Sequence, residues 1–188
     1  MSQPAVARRK FTVHEYELMV RAGILREDDR VELVEGEVVQ MSPISSRHAG
    51  AVNRMTAALA RLQVEGRAVV SVQNPVRLGE FGQPQPDVAL LRPRADFYST
   101  AHPGPEDVLL VVEVAEASAE YDRQVKVPLY GRWGIPEVWV VDLEGDRVEV
   151  YREPTGEGYG RQRFLSRGEV LRPLAAPDLE LPVDQVLG

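Results

Sequence analysis

Two carboxylates and one amine stand out by type and position. Asp87 lies in Gln85-Pro86-Asp87-Val88-Ala89-Leu90-Leu91, Glu113 closes the apolar run Val108-Leu109-Leu110-Val111-Val112, and Lys126 follows thirteen residues later. Carboxylates at the ends of buried strands can hold a divalent metal, and a nearby lysine can steady a hydroxide or a phosphate. Together they are the least that a metal-dependent phosphodiesterase needs. Magnesium suits such a pair, because it prefers octahedral oxygen coordination, takes one or two protein carboxylates and leaves the remaining positions to water and phosphate. Glu37 and His48 are candidates to complete the site, since the hairpin carrying Glu37 leads directly into the helix carrying His48.

Each of these residues also has a purely structural reading. Asp87 after a proline can end a turn. Glu113 closes a run of aliphatic residues, where an ionised carboxylate is costly unless it is paired or metal-bound, so a structural ion pair would account for it too. Asp122 and Lys126 form an i,i+4 pair of the kind worth about 0.3–0.5 kcal/mol on a solvated helix. Yet Asp122, Lys126, Tyr130 and Trp133 share one stripe, and a lysine between a tyrosine and a tryptophan is not expected to be fully exposed. His48 alone reads as a core histidine as readily as a ligand. Arg47, Arg54 and Arg61 make a stripe that is either a solvated face or a set of phosphate contacts. His14 and His102 have no partner at metal-ligand spacing, and no P-loop, dinucleotide fingerprint, zinc pattern or nucleophile elbow is present.

The elements that must position these groups follow from periodicity and punctuation. Thr12 can cap a short helix to about Ala22, and Val31–Met41 alternates around Gly36 as a tight hairpin. Ser45 or Ser46 can cap a helix to about Val64 whose apolar face, Val52, Met55, Leu59 and Leu62, takes His48 inward with it. Strands are expected at 67–72, 75–78 and 86–92, then a loop over 93–107. Val108–Val114 is apolar without alternation and reads as a central strand buried on both faces. A helix is expected over 119–133, kinked or shortened by Pro128. Strands at 137–142 and 147–152 make a second hairpin, with weaker edge strands at 159–166 and 169–171 and a proline-punctuated tail holding one short strand. The fold class is therefore α/β or α+β: a mixed β-sheet flanked by helices, with additional N-terminal and C-terminal β-hairpins.

The 188 residues fit one domain, with residues 1–10 as a loose arm. The absence of cysteine excludes disulfides and thiolate zinc sites and points to a reducing compartment. No apolar run approaches the roughly 20 residues of a membrane helix, and the basic N-terminus has no apolar stretch after it, so a cytoplasmic protein is expected. A net charge of −7 argues against a protein that coats nucleic acid, but a nuclease can receive phosphates through metals and a local basic patch.

Three stretches, Leu109–Val114, Asp122–Tyr130 and Gly134–Asp142, together with Val31–Val38, His48 and Gln85-Pro86-Asp87 upstream, resemble the Uma-two-type family over about residues 12–153. These bacterial proteins are placed among the restriction-endonuclease-like PD-(D/E)XK folds. The resemblance implies that Asp87 is the PD aspartate and Glu113 the (D/E) carboxylate, both as metal ligands for Mg2+ or Mn2+. The lysine usual two positions after the glutamate is replaced by Ala115, and the resemblance puts it on the next helix at Lys126. Glu37 and His48 match the family's N-terminal acidic and histidine positions. Two departures stand beside the site: Glu116-Ala117-Ser118 where Ser-Pro-Ser is common, and Pro128 where a helix former is common.

The leading expectation is thus a magnesium-dependent endonuclease that hydrolyses DNA phosphodiester bonds, with Asp87, Glu113, Lys126, Glu37 and His48 as its site. The alternative is a catalytically silent nucleic-acid-binding or protein-interaction module that keeps the nuclease-like fold. A homodimer, paired through the C-terminal hairpins, is a further expectation.

Overall fold

The structure, a computed structural model, describes residues 8–26 and 28–188. Most of the arm expected over residues 1–10 lies outside them. The first helix, α1 (Val13–Arg21), starts at a capping box in which Thr12 accepts from the Glu15 amide and the Glu15 carboxylate accepts from the Thr12 amide. Its buried residues Val13 and Tyr16 pack on Leu33 of a hairpin made by β1 (Val31–Val34) and β2 (Glu37–Gln40). The turn residues Glu35 and Gly36 both have positive φ, 50° and 83°, which matches the twist of the two strands. A Cβ on Gly36 would also fall 2.6 Å from the Lys10 side chain.

Next comes α2 (Ser46–Val64), capped by the Ser45 hydroxyl, which accepts from the His48 amide. The main sheet has six strands in sequence order: β3 (Val69–Val72), β4 (Val88–Leu91), β5 (Val108–Ala115), β6 (Glu137–Asp142), β7 (Arg147–Thr155) and β8 (Gly158–Ser166). Only β5 and β6 run parallel, because a helical crossover joins them. The apolar run of β5 occupies the middle of the sheet, as a strand without alternation must, since both of its faces are covered. On one face α2 lays Val52, Met55, Leu59 and Leu62 against Leu110, Val112, Val114 and Trp139. On the other face Val127, Leu129 and Tyr130 cover Val111, Val138 and Val140.

The crossover is where the structure departs most from the expected helix over 119–133. It breaks into α3 (Ala119–Tyr121), a π-helical turn over Asp122–Lys126, and α4 (Val127–Arg132). Pro128 has no amide to donate back into the helix. The hydrogen-bond ladder adapts one residue earlier, where the Val127 amide donates to the Asp122 carbonyl, an i→i+5 bond. The extra residue in that turn brings Asp122 and Lys126 onto the buried side together. The following turn packs so closely on β8 that a Cβ on Gly131 would lie 2.1 Å from the Gly158 carbonyl oxygen.

Three smaller expectations change. Residues 75–78 do not form a strand: Val76 and Arg77 donate to the carbonyls of Pro84 and Pro103, which have no N–H to return, and Leu78 makes only an isolated bridge to Gly82. The C-terminal hairpin extends the main sheet, and β8 is a nine-residue edge whose outward Arg161 and Arg163 are charges of the kind that blunt edge-to-edge pairing. The tail holds two short strands, β9 (Val170–Leu171) and β10 (Leu181–Pro182), and a helix, α5 (Val183–Leu187). Of the arginine stripe of α2, Arg54 serves this tail by donating to the Val186 and Leu187 carbonyls at the end of α5, Arg47 donates to the Leu143 carbonyl just after β6, and Arg61 pairs with Glu65. No helix among the described residues is long and apolar enough to cross a membrane.

Candidate active site

The register of β4 on β5 decides which charged groups meet. Val88 pairs with Val112, so one step further along Asp87 stands across from Glu113. Both side chains point to the face covered by the crossover helix, at the end of the sheet where the N-terminus of α2 arrives from the other side. The Asp87 Oδ2 accepts from the Val114 amide at 2.9 Å, and its Oδ1 accepts from His48 Nε2 at 3.0 Å and from Gln73 Nε2 at 3.2 Å. Burial works against charge on Asp87, but the His48 contact, the Val114 amide and the Lys126 charge hold its pKa below the ordinary value. The same contact raises the pKa of His48 against its own burial.

Glu113 sits in a different environment. It is buried, and the Tyr130 hydroxyl donates to its Oε1 at 2.6 Å while the Lys126 ammonium lies 2.8 Å from the same oxygen. Burial pushes its pKa up to about 8 despite Lys126, helped by the nearby charges of Asp122, Asp87 and Glu32. Lys126 is itself enclosed. Burial disfavours its charge, and the ring of acids around it, Glu113 first, more than reverses that and raises its pKa. Only two of the 22 basic residues are lysines, Lys10 and Lys126, and the compact ammonium is the group that fits this crowded position. Asp122 is also buried, with its pKa raised by burial and its Oδ2 accepting from Ser118 Oγ at 2.9 Å.

These groups open into one cavity of about 460 Å³, lined by Asp87, Glu113, Lys126, His48, Asp122 and Glu116 among others. Of the five residues singled out in the sequence, four come together there. The fifth, Glu37, does not: it lies beside the turn, is half exposed, and pairs with Arg8 at 3.3 Å. The hairpin supplies Glu32 instead, buried, with Oε2 3.2 Å from Lys126 Nζ and accepting from the Gln85 amide at 2.9 Å. Glu37 and Glu32 share one face of the hairpin, because Glu37 pairs with Val34 and Glu32 with Val39. They differ by two rungs along it, about 7 Å, and only the rung away from the turn reaches the cavity. Val34 on the same face is buried, a sign that the face of Glu32 is covered rather than solvated.

Two further groups, one contacting Asp87 from outside the cavity lining and one in the cavity wall, carry no local sequence signal. Gln73, which donates to Asp87, has a positive φ of 51°. Tyr121 lines the cavity, and its buried hydroxyl has no hydrogen-bond partner among the described residues. Burial raises its pKa to about 12, so it is a donor awaiting an acceptor.

Among the described residues no three His, Asp or Glu side chains converge as a ready metal cage. The Asp87–Glu113 pair nevertheless fits a hard divalent cation, because both donors are carboxylate oxygens and magnesium needs only one or two from protein. With Glu32 and Asp122 beside them, the cavity gathers four buried carboxylates, with Glu116 also in its wall, against Lys126, Arg30 and His48. That excess of acids, which raises the pKa of Glu113 and Asp122, is what a bound cation would offset.

Comparison with known proteins supplies the context. A family model named Uma2, described as "Putative restriction endonuclease", matches residues 13–184. The fold is similar to a crystal structure of "a putative nuclease belonging to DUF820 from Anabaena variabilis ATCC 29413", with a TM-score of 0.75 at 14% identity over 94% of this chain and 97% of that one. No curated protein matches.

Proposed function

This chain belongs to the Uma2 family of restriction-endonuclease-like proteins, and from that premise we propose that the cavity hydrolyses phosphodiester bonds of DNA with a divalent metal. The observation that carries the reading is the meeting of Asp87, Glu113 and Lys126 in one buried, acid-rich cavity. Magnesium or manganese held by Asp87 and Glu113 would supply Lewis-acid charge at the scissile phosphate and acidify the attacking water.

The chain's own groups then have distinct tasks. His48 and Gln73 fix the orientation of Asp87 from two directions, as carboxylates at such sites require. Tyr130 and Lys126 fix Glu113 through its Oε1. Lys126, kept cationic by its acidic neighbours, places a positive charge where a nucleophilic water or a phosphate oxygen can be held. Glu32 shares that ammonium and limits its movement. Tyr121 presents an unused O–H to the same space and donates it to a phosphate oxygen when substrate enters.

A plasmid or duplex cleavage assay with magnesium or manganese, run on the wild type and on Asp87→Ala and Glu113→Ala, tests this. Cleavage by the wild type alone is the expected result, and equal cleavage by all three sinks the assignment. A second reading, a silent binding module, is favoured by one feature: Lys126 is already engaged by Glu113 and Glu32, and Glu116 adds another acid to the cavity wall. Calorimetric titration separates the two, since a module without catalysis has no need to bind magnesium or manganese.

A further inference from the structure

A second cleft, of about 170 Å³, lies on the opposite face of the sheet from Glu113 and is lined by Arg152, Arg161, Arg163 and Arg172 over a floor of Val150 and Leu165. In a chain of net charge −7, four guanidinium groups in one small cleft form a local reversal of sign. Their pairing is uneven. Arg152 is anchored, donating to the buried Glu137 at 2.8 and 2.6 Å, and Arg172 pairs with Glu180. The side chains of Arg161 and Arg163 make no hydrogen bond among the described residues, and Glu153 and Glu169 stay 3.9 and 4.0 Å away from them. Two forks of donors are therefore left to solvent, and both side chains are more than half exposed.

The strand register adds an independent argument. Arg152 and Arg161 are directly opposite each other on β7 and β8, and Arg163 is the next residue along on the same face, opposite Val150. Like charges on one rung oppose strand pairing. An anion seated between them turns that repulsion into attraction, and planar guanidinium forks match the oxygens of a phosphate two at a time.

We propose that this cleft binds a phosphate group, carried either by a nucleic-acid backbone or by a phosphorylated small molecule. Arg161 and Arg163 supply the donors, Arg152 holds the position from the neighbouring strand, and the apolar floor excludes competing waters. The inference does not depend on what the acidic cavity does, since the two sites lie on opposite faces of the sheet.

The test uses the full chain in chelator, with inorganic phosphate and a short oligonucleotide lacking terminal phosphates as separate probes. The wild type is compared with Arg161→Gln and with Arg161→Gln/Arg163→Gln. The double variant should lose affinity for phosphate by at least about tenfold, the effect of removing two charge-assisted contacts. Arg161→Gln should melt no lower than the wild type without phosphate, because the like-charge rung is gone, and should lose most of the phosphate-induced rise in Tm. If the oligonucleotide also binds more weakly to the double variant, with a shallower salt dependence, the phosphate comes from a nucleic-acid backbone. If phosphate binding falls but oligonucleotide binding does not, the ligand is a small phosphorylated molecule. If neither probe distinguishes the double variant from the wild type, or Arg161→Gln destabilises the ligand-free protein, the cleft is not a phosphate site.

Discussion

Glu113 and Glu149 stand on one row of the sheet with Val140 between them, about 10 Å apart by strand spacing, and the two positions are built alike. Each is a buried glutamate, each accepts a tyrosine hydroxyl at 2.6 Å, from Tyr130 and Tyr151 respectively, and each is reached by a base from the same π-helical turn. Lys126 serves Glu113, and Arg123, three residues earlier, grips Glu149 at 2.7 to 3.1 Å. The charge balance separates them. Around Glu149, Arg123 and Arg147 answer Glu149 and Asp142 one for one. Burial disfavours the charge on Glu149, but the Arg123 hydrogen bonds outweigh it and lower its pKa. Around Glu113, Glu32, Asp87 and Asp122 share one lysine, and the pKa rises to about 8. A matched cluster is a clamp, whereas an unmatched one is a site with a ligand still to come.

The sharpest break of that comparison is the same substitution at both positions. Glu113→Gln should lower cleavage by several kcal/mol of transition-state stabilisation, on the order of 10³-fold. Its stability in chelator should match wild type below about pH 4.5 and exceed it near neutral pH, because the unfolded chain can no longer gain by ionising this side chain and Lys126 keeps Glu32. Glu149→Gln should do the reverse. It leaves Arg123 and Arg147 with Asp142 alone, and should cost roughly 2–3 kcal/mol in urea denaturation, less than a fully buried pair because both arginines are partly exposed. Cleavage should remain near wild type. A Glu149 variant that is stable but inactive would erase the distinction between clamp and site.

Opposite charge balance also means opposite response to pH in the metal-free protein. The folded pKa of Glu113 is raised, from 4.5 to about 8, so its contribution is fully present below about 4.5 and is lost as pH rises toward 8. The folded pKa of Glu149 is lowered, so its contribution is present above the ordinary carboxylate value and is lost as pH falls through the folded one. Denaturation midpoints across that range should show Glu113→Gln flattening the alkaline decline and Glu149→Gln flattening the acid one. The groups facing Glu113, namely Lys126, Asp122, Asp87, Glu32 and Tyr130, remain in place in both variants. Parallel pH curves for the two variants would contradict the assignment.

The two bases should not be interchangeable either. Arg123→Lys gives up a bidentate grip and should cost about 1 kcal/mol of stability with little change in cleavage. Lys126→Arg keeps the charge but forces a planar fork into the crowded space between Glu113 and Glu32, and should lower cleavage by about 10²-fold. Single-turnover rates and Tm for the pair of variants give the answer. Full activity in Lys126→Arg would make that residue a mere counter-ion.

How much of this was readable from the chain depends on the range of the forces involved. The caps at Thr12 and Ser45, the hairpin at Gly36 and the central strand at Val108–Val114 are set by local chemistry, and the structure follows them. That Asp87 and Glu113 lie near the ends of buried strands was legible, but their facing is set by the register of β4 on β5, which the pattern of neither strand gives. Glu32 was missed in favour of Glu37 because both occupy one face of the hairpin. Which rung reaches the cavity is set by how the hairpin docks, not by its own pattern. The π-turn was half legible: Pro128 announces a missing hydrogen bond, but nothing local says that the repair turns Lys126 inward. The Arg123 clamp depends on a pairing 26 residues away in sequence, beyond any helical spacing.

Gln73 offers the finest discrimination, because its two attributes pull stability and function apart. Its backbone φ of 51° is a conformation that glycine adopts more readily, while its side chain donates to Asp87 at 3.2 Å. If the residue were there only to shape the turn, Gln73→Gly would be neutral or better in every assay. If it positions Asp87, the same variant should keep or slightly raise Tm and yet weaken magnesium or manganese binding. The loss should sit near the lower end of the range for groups that orient a metal ligand, about tenfold, since His48 and the Val114 amide still hold the carboxylate. Gln73→Asn tolerates the left-handed backbone but is one methylene too short to reach as before, so it should behave like the glycine variant in the calorimeter. Wild-type metal affinity in both would confine the positioning of Asp87 to His48 and the Val114 amide, and would leave the strained backbone of Gln73 a property of the turn alone.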